Sequence, residues 1–283
     1  MTTSGDTTRM HRPEVADPFA SIPMAEVITH IGVRKTLADT ATMARRGLLK
    51  FKHTPQHLVD VIVVPVVFTV MFAGIFGGAI AGRVGDYLPL LVPGVMVNVT
   101  ITSTVVVGMQ LREDIDRGVF DRFVSLPISR LAPLSGILVA SILRYLLAVS
   151  ITLGVGIVMG YRPHSVPGVT VAVVLVVFSA FALSWLFALL GVLFTKAAAV
   201  QGVSALFLTA LGFTSNAFVP TQTMPGWMRP VAEVNPISQL VGAARGLANE
   251  GVVNVHVGWA LLGSVLLIAI LAPLTVRTYL RRL

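Results

Sequence analysis

Between residues 163 and 228 the chain carries a single Lys, Arg, Asp or Glu, Lys196, flanked by uncharged runs of 33 and 32 residues. No water-soluble globule can coat itself with so little charge. Across the whole chain only 12% of residues are charged, about half of what a soluble domain normally carries. Each run exceeds the roughly 20 residues a helix needs to cross a bilayer. Lipid offers no partner to backbone N–H and C=O groups, so crossing segments must bond internally as helices. Barrel strands would alternate, and these runs do not. The expected fold class is therefore an all-α polytopic membrane protein.

Six crossings account for the pattern: 61–80, 88–110, a third ending near Gly160, 168–193, 198–218 and 256–276, with a tight turn at Thr195-Lys196. Thr54-Pro55 reads as a helix start with Pro in the first turn, and Pro65 predicts a kink in the first crossing. Six crossings place both termini on one side. That side then holds 16 Lys and Arg against 4 on the other, with Arg144 inside the third span. The bias assigns the termini and the loop at 111–130 to the cytoplasm. The net charge of +8 follows from the same asymmetry, and nucleic acid is not an expected partner. Membrane lipid is.

Residues 1–25 are polar and aperiodic and read as a disordered tail. Over 36–52, Leu37, Ala41, Ala44, Leu48 and Phe51 recur at helical spacing beside Arg45, Arg46, Lys50 and Lys52. This fits an N-terminal interfacial helix, or an amphipathic helix packed on protein. Residues 219–255 fall outside the cell and are long but hardly polar. Asn235-Pro236 reads as an N-cap followed by Pro at N1, opening a helix to about Leu247. Two short external re-entrant helices within 220–250 are expected, with Trp227 and Met228 at headgroup level; a loosely structured loop is the alternative.

The chain has no cysteine, no phosphate-cradling G-x-x-x-x-G-K-[ST], and neither H-E-x-x-H nor G-x-S-x-G. His53 and His57 are four apart but interrupted by Pro55 and lack a carboxylate, so a hydrated boundary pair is the better reading than a metal site. No enzyme site is visible, and no cofactor is expected in this chain. All 13 acids lie outside the confident spans, which disfavours ion-coupled transport. Counting back from Gly160 puts Arg144 near the membrane entry, where snorkelling to the interface is favoured over a buried role. Uncharged polar residues concentrate in the second span (Asn98, Thr100, Thr102, Ser103, Thr104) and in the fifth (Gln201, Ser204, Thr209, Thr214, Ser215, Asn216), where they bond neighbouring helices or line a solute path. Two aromatic stripes, Phe68/Phe72/Phe76 and Phe178/Phe181/Trp185, face lipid, another helix or a flat cationic solute.

One polar stretch stands apart. Residues 113–127, EDIDRGVFDRFVSLP, hold Glu113, Asp114, Asp116 and Asp121 against Arg117 and Arg122, a net charge of −2. An anionic leaflet would repel it. Phe120, Phe123 and Val124 share a helical face that Pro127 terminates. A short cytoplasmic helix with an apolar knob in a ring of charge suits docking into a soluble protein's groove; the alternative is a solvated loop folded back on the chain.

The segment REDIDRGVFDRFVSLPISR closely resembles the cytoplasmic loop of type-2 ABC exporter permeases, in particular their daunorubicin/doxorubicin drug-resistance branch. RRGLLKFKHTPQHLVDVIVVPVVFTVMFAGIFGGAI, FVPTQTMPGWMRPVAEVNPISQLVGAARGL and the six-span layout match the same family. The resemblance covers about residues 34–280 and makes 26–280 one type-2 ABC transmembrane domain. It implies a homodimer in the bacterial cell membrane, working with separately encoded ABC ATP-binding subunits that carry ATP and Mg. It implies that 111–130 holds a coupling helix seated in the ATPase, with Glu113, Asp114, Gly118, Phe120, Asp121, Arg122, Phe123 and Pro127 at the contact. Residues 36–52 would be the connecting helix. It also implies a path for amphipathic drugs between spans two and five, facing Asn98, Thr102, Gln201, Ser204 and Phe207. A type-2 exporter of lipid or polysaccharide, or a membrane anchor that moves no solute, are the alternatives. The 25-residue tail has no match in the family.

Overall fold

The computed structural model describes residues 40–44, 55–118 and 131–281, with backbone alone for 55–60. The tail, most of the interfacial stretch, His53, the side chain of His57, and Phe120, Asp121, Arg122, Phe123 and Pro127 lie outside the described residues. Of 36–52, residues 40–44 are helical. Every longer element described is a helix: α1 (Pro55–Ala81), α2 (Val84–Thr102), α3 (Val105–Asp116), α4 (Ala132–Val158), α5 (Val166–Leu193), α6 (Ala197–Phe213), α7 (Met228–Val234), α8 (Pro236–Arg245) and α9 (Val255–Leu280).

Five stretches are long and apolar enough to cross a membrane: Val61–Ala81, Val84–Asp116, Ala132–Val158, Val166–Leu193 and Val255–Leu280. The protein is thus an all-helical, multi-pass membrane protein. The expected fifth crossing, 198–218, is helical only over Ala197–Phe213. At a rise of 1.5 Å per residue its 17 residues span about 26 Å, short of the roughly 30 Å hydrocarbon core. The helix ends where Ser215 turns its hydroxyl onto the carbonyl of Gly212 at 2.6 Å. The Thr195-Lys196 turn forms as expected, and α1 starts at Pro55 and runs unbroken through Pro65.

α2 and α3 form one near-continuous 33-residue rod with a turn at Ser103-Thr104. The hydroxyls of Thr100, Thr102, Ser103 and Thr104 donate to the carbonyls of Met96, Asn98, Val99 and Ile101 at 2.6–3.0 Å. Such back-bonding competes with the backbone ladder and bends helices. The polar run of the second span is therefore largely a local joint.

Packing is layered around this rod. α1 lies along α2 and α4; α5 packs on α3 and α9; α6 touches α3 and little else. Arg144 corrects an expectation. α4 begins at Ala132, so Arg144 sits twelve residues, about 18 Å, into the helix, and it is only 6% exposed. It does not snorkel along the surface; it is enclosed by protein beside the Tyr145–Ser184 hydroxyl pair at 2.6 Å.

Candidate functional site

Three places on the α2–α3 rod bear on function: its two ends and a cleft at its middle.

At one end, Pro89 and Pro93 lie inside α2. Pro93 has no N–H, so the carbonyl of Pro89 loses its helical donor. Asn249 supplies one, its amide donating at 2.8 Å, while its oxygen accepts from Tyr161 at 2.6 Å. Burial pushes the Tyr161 phenol up to about 12, so it remains a donor at neutral pH. One turn before Asn249, the Arg245 guanidinium donates to the carbonyls of Leu90 (2.9 and 3.1 Å), Asn216 (2.8 Å) and Ala217 (2.9 Å). The last two are carbonyls freed where α6 unwinds. Burial lowers the Arg245 pKa to about 10, so it stays cationic at neutral pH. Gly94 makes this junction possible: a Cβ there would lie 1.9 Å from the Ala217 oxygen.

The short helices are built as their sequence predicts. Asn235 caps α8 by accepting from the Ile237 N–H at 2.8 Å, and its amide donates to Leu211 at 2.8 Å and Thr214 at 3.0 Å. α8 reaches Arg245 and continues as a π-turn over Gly246–Glu250. Arg245 and Asn249 were not among the expected site residues. The available signal was the pair of prolines in α2, whose orphaned carbonyl demands a donor from elsewhere.

At the other end, the helix does not stop before the acidic stretch. α3 runs to Asp116, so Glu113 and Asp114 sit on the rod itself rather than on a separate loop helix. Gly118 follows in the left-handed region at φ +61°, which strongly favours glycine. Arg112 pairs with Asp116 and also donates to the Phe194 carbonyl at 3.0 Å. It thereby ties the rod to the α5–α6 turn, a role the sequence reading did not assign. Glu113 and Arg117 approach to 3.4 Å, partly exposed. Beneath them Val107, Leu111, Leu134, Val192 and Tyr279 form an apolar cluster that roots this end in α4, α5 and α9.

Between the ends, an open cleft of about 370 Å³ lies among α1, the rod and α6. Asn98, Thr102 and Gln201 all line it, with Thr209. So do Phe68, Phe72 and Phe218, with Phe72 stacked on Phe218 at 4.4 Å. The first-span aromatic stripe and the polar second and fifth spans thus share one cleft. Two expected residues depart from it. Ser204 is fully buried on the α6 face packed against the protein, and Phe207 points into a different groove, beside α9. The cleft offers aromatic faces and neutral hydrogen-bonding groups, and no carboxylate lines it. Among the described residues no three His, Cys, Asp or Glu gather as a metal site.

The profile of the ABC-2 type transporter family matches residues 39–248. The chain is 39% identical over 244 residues to the daunorubicin resistance ABC transporter permease protein DrrB1 of Streptomyces coeruleorubidus, covering 86% of each. It is 25% identical over 224 residues to the probable doxorubicin resistance ABC transporter permease protein DrrC of Mycobacterium tuberculosis, covering 77% of this chain and 79% of that one.

Proposed function

The chain belongs to the ABC-2 type transporter family, and on that premise we propose that it is the permease subunit of an ATP-driven exporter of amphipathic drugs, anthracyclines foremost. The observation that carries this reading is the cleft. It sets Phe68, Phe72 and Phe218 opposite Asn98, Thr102 and Gln201, a surface suited to a flat, apolar, cationic molecule through stacking, cation–π contact and neutral hydrogen bonds.

Two copies meet across this cleft. Gln201 and Thr209 are exposed on α6, and uncharged polar groups turned to hydrocarbon find partners on a neighbouring helix. α6 counts as the fifth crossing and brings the total to six, extended to the membrane boundary by residues 214–218. The termini and the Asp116 end face the cytoplasm, and 219–255 faces out as re-entrant helices, as the Lys/Arg asymmetry requires. The energy comes from a separate ABC ATP-binding subunit that holds ATP and Mg. It grips residues 111–130, including Glu113, Asp114, Gly118, Phe120, Asp121, Arg122, Phe123 and Pro127. Closure of the ATPase dimer pulls on Gly118 and on Glu113 and Asp114, and the rod carries that movement to Asn98 and Thr102.

Vesicles holding the chain and its ATP-binding partner test this. Doxorubicin should accumulate with ATP only when both proteins are present. A Gly118→Pro variant should hydrolyse ATP without accumulating drug. Because the chain has no cysteine, a single Glu113→Cys thiol reports sidedness: an impermeant maleimide added to intact cells should leave it unlabelled. Drug accumulation undiminished by Gly118→Pro, or prompt labelling of that thiol, would reject the reading.

A further inference from the structure

A second groove, of about 880 Å³, lies among α5, α6, α8 and α9, on the other side of α6 from the cleft. Its walls are hydrocarbon, from Leu183 and Leu186 of α5 to Leu267 and Ile270 of α9. Ser179 and Ser264 also line it, but their hydroxyls bond each other at 2.9 Å. The polar side chains Glu233 and Gln239 gather at one end, with Trp259. From Trp259 to Leu271, the deep end, is twelve helical residues, or about 18 Å, close to the roughly 15 Å of one hydrocarbon leaflet. Phe207, Trp259, Leu266 and Ile270 on its rim are 44–62% exposed, so the groove opens sideways toward lipid.

The charge at its mouth is specific. The Gln239 amide is engaged at both its atoms: its nitrogen donates to the Glu233 carbonyl and its oxygen meets His256 Nδ1 at 2.7 Å. Arg229, one turn before Glu233, donates instead to the carbonyls of Met224 (3.0 Å) and Gln222 (2.8 Å). The exposed Glu233 carboxylate makes no ion pair among the described residues. Glu233 and Trp259 both line this groove; a carboxylate and an indole sharing one mouth suit an ammonium group, and Trp sits naturally at headgroup level.

We propose that this groove binds one acyl chain of a phospholipid with a primary ammonium headgroup, its charge set against Glu233 and Trp259. A phosphatidylethanolamine fits; a lipid with a net negative head is repelled by the same carboxylate. The site is a fixed lipid seat that fills the space between α6 and α9, leaving the opposite cleft for the second copy and the transported drug. It rests on the reading of the chain as a membrane permease with Glu233 at a bilayer boundary.

Full-length protein in nanodiscs of equal phosphatidylethanolamine and phosphatidylglycerol provides the test. Each lipid in turn carries a trace of photoreactive diazirine in its acyl chain, and labelled peptides are mapped by mass spectrometry. The ethanolamine probe should label peptides of α6 and α9 about threefold more than the glycerol probe, the scale of one exposed charge contact. Glu233→Gln should bring the ratio to about one without lowering total labelling, because the carboxylate, not the groove, is lost. Gly263→Phe, at a groove-lining position where an added Cβ meets no heavy atom within 4 Å, should fill the groove and abolish both labels. Equal labelling by the two lipids in the wild type, or labelling unchanged by both variants, would overturn the proposal. So would displacement of the label by added doxorubicin, which would make the groove a drug site. Nanodiscs expose both leaflets alike, so an error in the sidedness assigned above would fail the thiol test and leave the headgroup ratio intact.

Discussion

The two ends of the α2–α3 rod are held in opposite ways. The Pro89 end is locked: one guanidinium and one carboxamide satisfy the carbonyls of Pro89 and Leu90 in α2 and of Asn216 and Ala217 in the turn after α6. The Asp116 end is rooted in an apolar cluster but finishes in a partly exposed turn of i,i+4 ion pairs and a left-handed glycine. One end is thus held by polar bonds to carbonyls and the other by apolar packing beneath a partly exposed tip, and on the proposed function that tip is where a partner's movement would enter. Between the two ends Val107 and Leu111, both buried, and the Arg112 bond to the Phe194 carbonyl hold the rod on the Asp116 side of its Ser103-Thr104 turn.

The contrast can be broken most directly at Arg245. Arg245→Met should cost about 3–5 kcal/mol, since it strands several enclosed carbonyls at once, and should lower the thermal unfolding midpoint in detergent. Arg245→Lys should recover less than half of that loss, because an ammonium lacks the planar fork that reaches three carbonyls together. Asn249→Leu comes next, at about 2 kcal/mol, from leaving the Pro89 carbonyl and the Tyr161 hydroxyl without partners; the same melting assay reads it. At the other end Arg112→Ala should cost only about 1 kcal/mol, because its pair with Asp116 is solvated and the Phe194 contact is a single hydrogen bond. The smallest effect belongs to Glu113→Gln, within about 0.5 kcal/mol, yet drug accumulation in vesicles should fall. Stability and transport should therefore separate at the Asp116 end and fall together at the Pro89 end. A Glu113→Gln variant that melts early, or an Arg245→Met variant as stable as wild type, would erase the distinction.

Much of this molecule can be read from one dimension. Apolar length marked five of the crossings, and the Asn235-Pro236 cap and the Thr195-Lys196 turn fall where local chemistry puts them. Asn98, Thr102 and Gln201 could be singled out because neutral polar groups are conspicuous in a hydrophobic run. Ser204 and Phe207 could not be separated from them, because on a 17-residue helix only the neighbours decide which face is buried. Arg144 was misjudged for a similar reason: counting back from Gly160 estimates a depth along the span but not which neighbours enclose the side chain.

What the sequence by itself determined is the class of object. Uncharged runs longer than a bilayer is thick leave helices as the way to satisfy the backbone, and the REDIDRGVFDRF stretch stands out between them by its charge. Only the tertiary structure decided which carbonyls Arg245 and Asn249 would satisfy, that an aromatic stripe and two polar spans share one cleft, and that a lipid-length groove lies behind α6. Those depend on contacts between residues as far as 160 positions apart, and hydrogen-bond partners at that separation leave no trace in local periodicity.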